Sequence, residues 1–172
     1  MLAVAGKKYW TRFGWQTLVA RDVAAVEKSL VVVPSEIGLA APGAKGVILR
    51  ADPAMLLALE RWIKITYAWA KSQTANPRVG AIYFNSLYRP WGTTAGSGRY
   101  EDPCGCLDSQ DDDGHWSGRG GDIPTKWFRL ACNPIPTVEQ INAFAIEAGL
   151  DRPWIKGQMG GEWWHYRARE EV

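Results

Sequence analysis

The chain has 172 residues, a 47% hydrophobic fraction and a formal net charge of +2, which suits one domain with a substantial core and lacks the strongly basic face of a nucleic-acid binder. Three cysteines cannot all pair with one another, and a domain of this size does not call for a disulfide framework. The apolar start Met1–Gly6 is short and its lysines follow it, and no later window reaches the length of a membrane span. The expectation is a protein made in the cytoplasm without a signal peptide and with no membrane partner.

In chain order, residues 16–30 show helical periodicity, with Leu18, Val19, Val23, Val26 and Leu30 near one face. Val31–Val33 and Val47–Leu49 read as short strands, with a turn at Pro42–Gly43 between them. No function is legible in residues 1–51, which read as an N-terminal extension. Asp52 is a good N-cap and Pro53 suits the first helical position. The helix they open carries an apolar stripe of Leu56, Leu57, Leu59, Trp62, Ile63, Ile65 and Trp69, and should end before Asn76–Pro77.

Val79–Tyr88 is rich in strand formers and stops at Arg89–Pro90, which places Arg89 at the C-terminal end of a strand. Residues 90–114 form a long stretch without periodicity. Its Ser109-x-Asp111-x-Asp113-Gly114 resembles half of a calcium loop, but Gly120 stands where the closing Glu belongs, so a solvated acidic loop is expected. His115–Ile123 is glycine-rich and reads as permissive backbone, and Trp127–Cys132 reads as a strand. Thr137 and Gln140 fit a capping box for a helix running to Ala148 and stopped by Gly149, with Ile141, Phe144, Ala145 and Ala148 inward. After a loop at 157–161, residues 162–167 read as a terminal strand.

The chain has two histidines, and each has a carboxylate nearby: Asp122 follows His115 by seven residues, and Glu162 precedes His165 by three. Two imidazoles and one carboxylate make a ligand set for a catalytic zinc with its fourth position open, and the remaining carboxylate could take a proton from water there. On an ideal strand, Glu162 and His165 would point to opposite faces, so both reach one ion only if Gly160–Gly161 lead into an irregular segment. A competing structural site would use Cys104, Cys106 and Cys132 with His115, although the spacing matches no zinc ribbon.

The joint pattern is His-x-x-Gly-x-small-x-Asp, then Glu-x-Trp-His, with Tyr-Arg upstream. It is carried by Tyr88, Arg89, His115, Gly118, Gly120, Asp122, Glu162, Trp164 and His165. Over roughly residues 52–168 it resembles the zinc D-alanyl-D-alanine peptidases: carboxypeptidases, vancomycin-resistance dipeptidases and phage L-alanyl-D-glutamate endolysins. The resemblance implies Zn2+ held by His115, Asp122 and His165, Glu162 as general base, and Arg89 supporting the developing oxyanion. Tyr88, Trp116, Trp163 and Trp164 become candidates for pocket walls. Asp113 stands where the family has a substrate-holding Ser, and Gly120 where it has Ala, which leaves the preferred peptide open.

The fold so implied is α+β, a small antiparallel sheet with helices packed on one side, of Hedgehog/DD-peptidase type. The implied protein is a monomeric single domain acting on peptidoglycan or a D-amino-acid-containing peptide, with no nucleic acid or membrane as partner. As a phage-type lysis enzyme it would reach the wall after release. The alternative is a non-catalytic zinc-containing wall-binding or phage structural module, against which the presence of Glu162 argues.

Overall fold

The computed structural model describes residues 8–11, 14–17, 28–40, 48–85, 87, 118–151 and 164–169. The longest element follows from its local sequence. Asp52 is extended and its Oδ1 accepts the Ala54 N–H at 2.8 Å, Pro53 occupies the first turn, and helix α1 runs Pro53–Gln73. Met55, Ala58, Leu59, Trp62, Thr66 and Ala70 recur at steps of three and four and form its buried face. The expected stripe is close to this in phase, with Leu56, Ile63 and Ile65 at its partly buried margin, while Leu57 is exposed. Thr66 satisfies its buried hydroxyl by donating to the Trp62 carbonyl at 2.8 Å.

Residues 127–132 differ from the expected strand: helix α2 spans Thr125–Leu130. Aromatic and apolar density suggested a strand, but the buried side chains are Thr125, Phe128 and Cys132, at helical spacing, while Trp127 and Leu130 are exposed. Helix α3, Val138–Glu147, has the expected capping box: Gln140 N–H donates to Thr137 Oγ1 at 3.2 Å, and Thr137 N–H to Gln140 Oε1 at 2.8 Å. Past its end Gly149 has φ +98°, a left-handed conformation natural to glycine.

The strands are short. β1 (Lys8–Thr11) and β2 (Gly14–Thr17) pair antiparallel with Trp10 opposite Trp15. Gln16 and Thr17 therefore belong to a strand rather than to the expected helix; Lys28 and Ser29, near that helix's far end, are helical. β3 (Val31–Val32) pairs antiparallel with β5 (Arg50–Ala51), just beyond the expected 47–49. β4 (Gly38–Ala40) pairs parallel with β6 (Ile82–Phe84), so the sheets are not uniformly antiparallel as expected. β7 (Gly120–Asp122), β8 (Leu150–Asp151) and β9 (His165–Ala168) form an antiparallel sheet in the order β7-β9-β8. β7 lies in what reads from sequence as permissive glycine-rich backbone.

Trp62 ties these parts together. Its ring meets Phe128 of α2 edge-on and Tyr166 of β9 at a tilt, each at 5.1 Å between centroids, and its Nε1 donates to the Ile141 carbonyl of α3 at 3.0 Å. Tyr166 donates its hydroxyl to Asn142 Oδ1 at 2.5 Å. Helices α1 and α3 thus pack on the face of β9 that carries Tyr166, and the architecture is mixed α+β. Val33, Leu49 and Ala51 are buried in the same cluster, so residues before 52 supply part of one wall of the core. Among the described residues no helix is long and apolar enough to cross a membrane.

Gly118 has φ +72°, and a Cβ there would lie 2.5 Å from Leu30 Cδ2 and 2.8 Å from the Asp52 backbone nitrogen. Its carbonyl accepts the Asp52 N–H at 2.9 Å, so it seats the start of α1. Gly118→Ala should destabilise the protein by about 1–3 kcal/mol, and Thr137→Ala by about 1 kcal/mol. Urea unfolding checks both, and an unchanged midpoint for Gly118→Ala would contradict the close approach.

Candidate metal centre

β7 and β9 place Asp122 directly opposite His165. The Ile123 N–H donates to the Trp164 carbonyl at 2.8 Å, which makes Asp122/His165 a pair without a direct backbone hydrogen bond between them. Facing side chains approach most closely at such pairs, with Cα atoms about 4.5 Å apart. Alternation along the strands turns Gly121 and Tyr166 toward the core and sends Asp122 and His165 to the other face. There His165 Nδ1 stands 3.0 Å from Asp122 Oδ1. His165 is 0% exposed and Asp122 7%, so both groups work with little water around them.

Neighbouring backbone fixes this position. The Asn85 N–H, one residue beyond β6, donates to the Asp122 carbonyl at 2.9 Å, and the Ala168 N–H to the Arg119 carbonyl at 2.8 Å. β7 is therefore held from both edges. Trp164, half-buried, immediately precedes His165. Of the residues singled out from the sequence, the structure brings together Asp122 and His165, with Trp164 beside them in the chain. Tyr88, Arg89, Asp113, His115, Trp116 and Glu162 lie outside the described residues, as do Cys104, Cys106 and the acidic loop.

A carboxylate oxygen and an imidazole nitrogen suit zinc. Two donors each at about 2.0–2.1 Å from one tetrahedral ion stand roughly 3.3 Å apart, and the observed 3.0 Å lies close to that. The same contact also serves as a hydrogen bond in which an imidazole Nδ1–H donates to the carboxylate, the orienting role such a partner plays for a metal-bound imidazole. The pair can thus act as two ligands, or as one ligand and the carboxylate that orients it. Among the described residues no group of three or more His, Cys, Asp or Glu side chains is placed to hold a metal, so these two are the donors that the described part supplies.

Cys132 fits the competing cysteine site poorly. Its thiol is 2% exposed in the core cluster and donates to the Phe128 carbonyl at 3.2 Å. Burial pushes it up from 9.0 to about 11, against smaller lowering effects of the Gly80 backbone and Arg78. It is a protonated packing group rather than a ready thiolate. Sequence reasoning missed Asn85, Phe84 and Leu87 as supports of β7, and the signal available was the Gly120–Gly121 pair, which marks a close approach of other groups to a strand.

Comparison with protein-family models, with curated proteins and with solved structures finds no match.

Because the folded thiol of Cys132 holds its proton more tightly than the unfolded one, its contribution to stability is complete below pH 9 and is lost as pH rises from 9.0 toward about 11. In a Cys104→Ser/Cys106→Ser background, iodoacetamide should label Cys132 slowly at pH 8 and rapidly once urea is added. Labelling equally fast in the folded protein would contradict the buried thiol.

Proposed function

We propose that the chain is a zinc-dependent peptidase hydrolysing a peptide bond next to a D-amino acid in peptidoglycan or a precursor peptide. The supporting observation is that two residues 43 positions apart, Asp122 and His165, meet in a buried cross-strand pair, imidazole against carboxylate at 3.0 Å. They are two of the three ligands that the sequence pattern assigns, and His115 is the third. In this reading the sheet β7-β9-β8 carries the cleft of a Hedgehog/DD-peptidase fold, residues 52–168 form the catalytic core of a monomeric single domain, and the earlier strands brace it.

The ion, when bound, supplies Lewis acidity that lets water ionise near neutral pH and polarises the scissile carbonyl. Glu162 takes the proton from the attacking water and returns it to the leaving amine. Arg89 stands by the developing oxyanion, a contribution typically worth about 3 kcal/mol. Trp164, Tyr88 and Trp116 wall the substrate, and Asp113 replaces a neutral hydroxyl group there. Asp122 and His165 do no proton chemistry themselves; they hold their geometry, which the backbone hydrogen bonds of Asn85 and Ile123 make rigid.

The test is mass analysis of fragments from purified peptidoglycan, and from D-alanyl dipeptides, with and without a chelator. New fragments should form, vanish on chelation and return with Zn2+. Glu162→Ala should retain zinc yet lower the rate by about 10²–10⁴-fold, whereas His165→Ala should lose zinc. Asp122→Asn distinguishes the carboxylate's two roles: loss of zinc marks a ligand, and a drop of about 10–100-fold in affinity marks an orienting partner. Zinc binding with no chelator-sensitive fragment would leave a non-catalytic wall-binding or structural module.

A further inference from the structure

We infer that Gly121 and Phe84 are positioning residues for the Asp122–His165 pair, a role that rests on the zinc reading of that pair. Phe84 closes β6 and is 1% exposed, and its ring lies between glycines on two other strands. A Cβ on Gly38 of β4 would come within 2.9 Å of Phe84 Cε2 and 2.8 Å of Val33 Cγ1. A Cβ on Gly121 of β7 would come within 3.3 Å of Phe84 Cε1 and 2.9 Å of Leu87 Cδ1. Opposite edges of one ring are thus seated on two stretches of bare backbone, and the ring cannot back away from one without striking the other.

The next residue completes the grip, since the Asn85 N–H holds the Asp122 carbonyl at 2.9 Å. Phe84–Asn85 therefore sets both the height of Gly121 and the lateral position of Asp122. A methyl group at position 121 must open a 2.9 Å contact toward an ordinary carbon–carbon separation, a movement of about 0.5 Å or more. Leu87 is 2% exposed, so its methyl and the β7 backbone share that movement. Metal–ligand distances hold to within about 0.2 Å, so the share of the movement taken by the backbone falls where it matters, one residue before the carboxylate.

The experiment compares wild type, Gly121→Ala and Phe84→Leu by competition for Zn2+ with a chromophoric chelator and by amide hydrogen exchange. Gly121→Ala should weaken zinc binding by about 10–100-fold. The Asn85 and Ile123 amides should lose about tenfold or more in protection, while Arg78 and Asn133, bonded to each other at 3.0 and 2.7 Å, keep theirs. Adding Leu87→Ala to Gly121→Ala should restore most of the affinity. Phe84→Leu, which removes the ring edges but keeps an apolar core residue, should show the same local loss, and it decides the question if Gly121→Ala does not fold. Wild-type zinc affinity in the variants, or protection falling equally at Arg78 and Asn133, overturns the positioning role. A wild-type protein that binds no zinc sinks the metal reading instead, and local exchange then decides alone whether Gly121 positions the pair.

Discussion

The register between β7 and β9 is the constraint on which the rest depends. A slip of one residue exchanges the faces of a strand, so it would turn His165 into the aromatic core and put Tyr166 at the site. Tyr166 prevents this, because its ring belongs against Trp62 and its hydroxyl against Asn142 Oδ1. The packing of α1 and α3 on one face of β9 thus specifies which residue faces Asp122 on the other. Core and site are two sides of one strand.

Energetics points the same way. Removing a carboxylate and an imidazole from water is unfavourable unless each finds a partner. The Asp122–His165 contact offsets that penalty. β7 has only three residues, two of them glycine, and low intrinsic preference for a strand. It is a strand because backbone partners on both edges hold it and because glycine lets Phe84 and Leu87 approach.

What could be read in advance divides along the same physical line. Caps and helical periodicity are local, so Asp52–Pro53 and Thr137–Gln140 announced α1 and α3. The segment 127–132 misled because apolar density without an evident period is ambiguous, and only burial of Phe128 and Cys132 four residues apart resolves it. β7 was hidden because tertiary contacts, not propensity, make it. The parallel pairing of β4 with β6 depends on a partner some forty residues away and has no local signature. At the candidate site, residue types named Asp122 and His165, whereas their supports Asn85, Phe84 and Leu87 act through backbone and shape, which no motif records.

Under the proposed function, each chain binds one zinc entirely through nitrogen and oxygen. X-ray absorption at the zinc edge on purified protein measures this directly. First-shell scatterers should all lie at about 2.0–2.2 Å, and His165→Ala should abolish the bound-metal signal. A sulfur shell at about 2.3 Å, or a protein that retains no zinc, would contradict it.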